Sequence, residues 1–386
     1  MAANKKIKVG LLVDEFFGAA GTGYGGYGIL ARNYIAKYIP NEEIQIDVLL
    51  GKRRIRTIFF PTCKKYKVDN VNVYRLPYFS LFAKWWLKKQ NYDIYLSIEL
   101  TYDYVLKNET DINKRLILWI QDPRPKYEWD EINTVKLFPE SCYYNQRIYD
   151  LVHKWNKQGR VKFISQGHFL NQKAHDLYQL PQSTSVQYLP NPVDIDDSFD
   201  IKTFHKKDNI IFLGRIESVK RGWLFCEIAS SLPEYNFYML GQTFREKEKN
   251  SAAMEKYTNI PNLHFAGHVD GKIKETYLKE AKILVNTSIH EALPVSFLEA
   301  LAYGTVLVSN RNPENLTSQF GVWVGEVLGD GFDYVELYVK AIIELMGNDQ
   351  KRRQLAENGL NYVKEVHNVS RFVHDMRDVI IKETKK

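Results

Sequence analysis

Short apolar runs alternating with helix-like stretches along the whole chain constrain its fold more than any single residue does. In the first half the runs are IKVGLLV, IQIDVLL, NVNVYRL, YDIYLSI, RLILWI and RVKFIS; in the second they are NIIFLG, NFYMLG, NLHFAG, KILVNTS, TVLVS and GVWV. Strands separated by helices predict parallel sheets covered by helices. A chain of 386 residues is too long for one ordinary core, and 45% apolar residues is enough for two. The expected class is α/β, with two Rossmann-like doubly wound domains facing across a cleft and ligands at the carboxyl ends of the strands.

Within this framework the segment IHEALPVSFLEALAYG, 289 to 304, places Glu291 and Glu299 eight residues apart around a helix start. Pro294 suits the first helical position because it lacks an N–H, and Gly304 is a natural left-handed stop. Leu293 and Pro294 lead the chain in, and the N–H groups of Val295, Ser296 and Phe297, with the positive end of the helix dipole, favour an anion such as phosphate. A carboxylate on either side of a phosphate suggests a ligand with hydroxyls on both flanks, a nucleotide sugar: Glu299 on the ribose and Glu291 on the sugar. Alternatively, the two are solvated charges at an ordinary strand–helix turn. A second segment, NIIFLGRIESVKRGW, runs from a strand through Gly214 to Arg215 and Lys220. A guanidinium fork and a compact ammonium could neutralise a diphosphate. Fixed cations there act most strongly as the leaving group gains charge.

These two segments resemble the E-x7-E and G-R-x4-K-G elements of retaining GT-B glycosyltransferases, most closely family 4. The resemblance implies further assignments. The loop of NLHFAGHVDGKIKETY would wrap the base, with Val269 against it, and His290 would stand near the sugar or support its neighbour Glu291. YLPNPVDIDD would carry the chain between domains, giving an acceptor domain over 1–194, a nucleotide-sugar domain over 195–366 and a final helix, 367–386, crossing back onto the first domain. The loop DEFFGAAGTGYGGYG contains G-x-G-x-x-G twice, but it starts too far past its strand for a dinucleotide fingerprint; Gly25 and Gly26 are the pair expected close to sugar and diphosphate. One departure stands out. Where many members have a histidine followed by aspartate, this chain has Gln121 and Asp122. Glutamine can hydrogen-bond a hydroxyl but carries no proton. Asp122 could orient the acceptor hydroxyl, serve as its base, cap a helix or pair with Arg124.

Charge is uneven: residues 1–194 hold 28 Lys and Arg against 19 acids, whereas the remainder has two more acids than bases. GKRRIRTIFFPTCKKYK and LFAKWWLKK mix cations with large aromatics, which suits an anionic membrane surface or a lipid diphosphate acceptor; otherwise Trp85 and Trp86 are core residues of a helix with wet lysines. Three scattered cysteines argue for a reducing compartment and against structural zinc. The N-terminal apolar run is too short for a signal peptide or a spanning helix, so a soluble cytoplasmic protein is expected.

The expected activity is retaining transfer of a hexosyl or deoxyhexosyl group from a nucleoside diphosphate to a hydroxyl of a glycan, lipid-linked or protein acceptor. Arg215, Lys220, Glu291, Asp122 and Gln121 are the candidate catalytic residues. No metal is expected, since the two cations and the helix start take its role, and neither a cofactor nor a nucleic-acid partner is expected. The rival readings are a nucleotide-sugar epimerase or phosphorylase of the same build and a non-catalytic subunit that binds a partner or membrane. No pattern in the residues bears on oligomeric state.

Overall fold

Residues 5–54, 62–137, 141–243 and 247–386 are described by the computed structural model. Two units emerge, one of residues 1–123, 145–192 and 369–386 and the other of residues 124–144 and 193–368. The part of the basic aromatic stretch at 55–61 and residues 1–4 lie outside the described residues.

The first unit is built on an eight-stranded sheet: β1 (Ile7–Leu12), β2 (Ile44–Lys52), β3 (Lys64–Val68), β4 (Val71–Leu76), β5 (Ile94–Ile98), β6 (Arg115–Ile120), β7 (Val161–Ser165) and β8 (Val186–Tyr188), in the order β3-β4-β2-β1-β5-β6-β7-β8. All neighbours are parallel except β3, which runs antiparallel to β4. The sequence signal missed β3 because KKYKV is mostly exposed and carries three lysines, a composition that protects a sheet edge from further pairing. It missed β8 because three residues make no pattern. The final helix, Val369–Thr384, buries Phe372, Met376, Val379 and Ile380 in this unit's core. Phe372 stacks on Trp119 at 5.3 Å, and Glu383 receives Arg115 at 2.7 Å.

The second unit has six parallel strands: β9 (Asn209–Leu213), β10 (Asn236–Leu240), β11 (Leu263–Gly267), β12 (Ala281–Asn286), β13 (Val306–Ser309) and β14 (Gly321–Trp323), ordered β11-β10-β9-β12-β13-β14. The chain winds outward from β9 to β11 and then returns to lay β12 against the other side of β9. The carboxyl ends of β9 and β12 therefore flank a topological switch point, the position at which open α/β sheets bind ligands. Residues 124–144, placed by sequence in the first domain, belong here: Trp129, Ile132 and Val135 are buried in the second core, and the amides of Lys136 and Leu137 donate to Asp330. Adjacency to β6 in the chain masked this, whereas the apolar side of the helix Lys126–Ile132 decides it.

Among the described residues no helix is long and apolar enough to cross a membrane. The three cysteines are free.

Candidate active site

The loops leaving β9 and β12 carry most of the motif residues. After β9, the Gly214 amide donates to Leu240 and that of Ile216 to Gln242. A side chain at Gly241 would bring Cβ to 1.8 Å from the Gly214 carbonyl oxygen, so only glycine allows the two loops to lie this close. Arg215 points its Nε at the buried Glu217 carboxylate, 3.5 Å away. A single 3-10 turn, Ser218–Lys220, then presents Lys220.

The next residue is the largest feature the sequence reading missed. Arg221 stands one place after Lys220, has φ +48 and is fully buried. Its Nε donates to the Thr287 carbonyl at 2.6 Å, and its Nη1 to those of Val327 and Gly329 at 3.0 Å each. Burial lowers its pKa to about 10. In return Thr287 Oγ1 donates to the carbonyls of Lys220 and Arg221 at 2.8 and 3.1 Å, and the Ile289 amide donates to Val219. The two motif loops are thus stitched together from both sides, beneath their functional side chains.

Above this seam Lys220 Nζ lies 2.5 Å from Glu291 Oε1. The same oxygen accepts from Ser288 Oγ at 2.6 Å and Asn286 Nδ2 at 3.1 Å. All three donors converge on Oε1, and among the described residues Oε2 receives none. Burial alone would raise this carboxyl, but the Lys220 ammonium, with Ser288 and Asn286, outweighs it and holds the group below its ordinary value. His290, also buried, turns Nε2 toward Glu128 Oε2 at 3.6 Å.

The helix after β12 spans Val295–Ala302, and its N-cap is Pro294, with ψ 129. The expectation of Pro294 as first helical residue is corrected by one position: its backbone is still extended. The expectation of three open amides is corrected as well, because the Phe297 N–H donates to the Pro294 carbonyl at 3.0 Å. The Val295 and Ser296 amides begin the helix without a side-chain cap. Phe297, Leu298 and residues 300–302 are buried, so the half-exposed side of this helix consists of Val295, Ser296 and Glu299. Leu293 is buried ahead of it, and Gly304, at φ +64, ends it. Glu299 is not alone: Lys274 Nζ sits 2.6 Å from its Oε1. That lysine belongs to the helix Gly271–Glu280, which starts just past half-buried Val269 in the loop after β11. A lone lysine in a lysine-rich helix gave no signal in the sequence.

The remaining candidates are in the first unit. Gly25 is buried and caps the helical stretch that starts at Gly26, while Gly26 is exposed with open space where a side chain would go. Gln121 is 2% exposed, and its amide forms two 3.0 Å hydrogen bonds with the Asn191 amide. The backbone amides of Gln121 and Asp122 both donate to Glu99 Oε2 at 2.9 Å, and Tyr178 donates its hydroxyl to Oε1. Burial pushes the Glu99 carboxyl up despite these donors. Glu99 therefore sets the turn carrying Asp122, and Gln121 spends its side chain on Asn191.

Residues 194–362 match the family model described as glycosyl transferases group 1. No curated protein sequence matches the chain significantly. Among solved structures, sucrose-phosphate synthase from Thermosynechococcus elongatus is similar with a TM-score of 0.72 at 14% identity, covering 98% of this chain and 99% of the other. Anabaena HepE, solved in complex with UDP, gives 0.67 at 10% identity over 98% and 100%. A glycosyltransferase from Rickettsia africae gives 0.65 at 13% over 99% and 100%. Residues 194–362 are thus similar to the glycosyl transferases of group 1, and by its two parallel-sheet α/β units the chain has the GT-B fold.

Proposed function

We propose that the chain is a retaining glycosyltransferase of family 4, moving a hexosyl or deoxyhexosyl group from a nucleoside diphosphate to a hydroxyl of a glycan, lipid-linked or protein acceptor, without a metal ion. The observation that carries the reading is the Lys220–Glu291 pair at the switch point: three donors hold one carboxylate oxygen and leave the other for a sugar hydroxyl. An ammonium has three N–H donors, so Lys220 can stay on Glu291 and still reach a phosphate oxygen. With Arg215 and the amides of Val295 and Ser296 it would neutralise the departing diphosphate. In the step itself the bond from the anomeric carbon to the phosphate oxygen breaks. The acceptor oxygen bonds to that carbon from the same face, and its proton passes to the leaving phosphate. Asp122, on the turn set by Glu99, would orient the acceptor.

Because HepE was solved with UDP, a uridine diphosphate sugar is the donor to test first. A thermal-shift panel of UDP, GDP, ADP and dTDP and their sugars should show stabilisation by one nucleotide class, and product formation should need an acceptor and survive EDTA. Stabilisation by no nucleotide would refute the reading; conversion of donor alone would indicate an epimerase.

For the acceptor side we propose an anionic membrane surface. The helix Ser80–Gln90 buries Ala83, Trp86 and Leu87, yet Leu81 is 75% and Trp85 61% exposed. Lys84, Lys88 and Lys89 share the exposed side, with Lys89 over the Trp85 ring at 5.3 Å. Apolar side chains ringed by lysines suit a headgroup boundary. Co-sedimentation with anionic vesicles should be lost on charge reversal at Arg53, Arg54, Lys64 and Lys65; unchanged binding would count against it.

A further inference from the structure

Glu299 and Lys274 come from different elements and meet beside the start of the helix Val295–Ala302. Glu299 follows Val295 by four residues, so it stands one turn, about 6 Å, along the helix axis from the open amides and on their side. A group bound to the Val295 and Ser296 amides through phosphate would bring its next ring against this carboxylate. Of the Glu299 oxygens, Oε1 is held by Lys274 and Oε2 receives no donor among the described residues. Lys274 commits one of its three N–H donors to that bond. The pair thus offers a free acceptor and free donors side by side, each partly exposed, with side-chain accessibilities of 14% for Glu299 and 20% for Lys274. A hydroxyl is both donor and acceptor, and a carboxylate alone meets only half of that need.

We propose that Lys274 is a donor-binding residue that reads the ribose hydroxyls jointly with Glu299. This rests on the glycosyl-transfer reading and names a residue that neither motif contains. Glu299 Oε2 accepts from one hydroxyl, while the Lys274 ammonium donates to the oxygen of the same or the adjacent hydroxyl. The lysine has a second effect. A bare carboxylate near a diphosphate is repulsive, and an ammonium 2.6 Å away makes the pair neutral overall. Lys274 lies in the first turn after the loop bearing Val269, so ribose recognition and the base loop are tied through one short helix.

The test compares affinities by calorimetry. Wild-type protein is titrated with UDP, GDP and ADP, and the tightest binder is then compared with its 2′,3′-dideoxy analogue on wild type, Lys274→Met and Lys274→Arg. Wild type should prefer the ribose form by about tenfold or more. Lys274→Met should weaken the ribose form by about tenfold and the dideoxy form by much less, shrinking the preference to about twofold. Lys274→Arg should retain most of the preference. An equal loss for both nucleotides, or an unchanged ratio, would overturn the proposal and make the lysine a structural residue. Wild type that binds none of the nucleotides would instead overturn the glycosyl-transfer reading, and the proposal with it.

Discussion

Lys220 Nζ and Glu291 Oε1 are 2.5 Å apart, 71 residues apart in sequence and joined across the switch point of the second sheet. The ammonium is held in place by the protein's own carboxylate, and fixed positioning of this kind is the condition for strong electrostatic stabilisation of a developing charge. Lys220→Ala should therefore lower kcat by about 100-fold or more while raising the donor KM by less than tenfold. Steady-state kinetics with the donor varied will decide it; wild-type turnover would remove Lys220 from the reaction.

The lowered Glu291 pKa sets a pH dependence of stability. Its ionised form is favoured in the folded state, so the contribution is complete above the ordinary value of 4.5 and is lost as pH falls from there through the lowered folded value. Glu291→Gln keeps the shape and removes the charge. Urea unfolding between about pH 3 and pH 6 should show a flatter acid limb for the variant, and identical slopes would contradict the assignment.

Arg221 makes a separable prediction about stability. Arg221→Ala leaves the carbonyls of Thr287, Val327 and Gly329 without their donor, at a cost of about 2 to 4 kcal/mol. Arg221→Gly loses the same bonds, but glycine is at ease at φ +48, so it should be about 1 kcal/mol more stable than the alanine variant. Chemical denaturation of the three proteins measures both differences. Equal stability of the alanine and glycine variants would mean that the backbone relaxes there at little cost.

Gly241 tests the close approach beneath Arg215. Gly241→Ala drives a methyl into the Gly214 carbonyl oxygen, a backbone atom that can yield only by moving the β9 loop. Stability should fall by about 1 to 3 kcal/mol, and donor affinity should fall with it. Unaltered nucleotide affinity would show that the Gly214–Arg215 turn is placed by other contacts.

The central strands were legible because Val, Ile and Leu in short runs can be buried only one way in an alternating α/β chain, and the motif helix because Pro294 and Gly304 bracket it. The edge strands of the first sheet were not: β3 reads as a basic surface stretch, as an edge strand does when its lysines discourage further pairing. The helix Lys126–Ile132 was assigned to the wrong unit because chain order carries no information on which core receives Trp129 and Ile132. At the site, Lys220 and Glu291 could be named from residue chemistry, but Arg221 and Lys274 could not. A basic residue is ordinarily solvated, and only three-dimensional packing reveals that one clasps three carbonyls and the other a carboxylate. Gln121 was named for a role at the ligand, whereas its amide is bound to Asn191.

Arg221 also dictates the order in which this half of the molecule can mature. Its acceptors reach as far along the chain as Gly329, more than a hundred positions downstream. While the polypeptide is still emerging, the guanidinium has only the Thr287 carbonyl of its three acceptors, so its desolvation is incompletely compensated. The seam between the two loops is therefore completed late in biosynthesis, and a nascent chain halted short of Val327 holds both signature segments with only part of the Arg221 clasp.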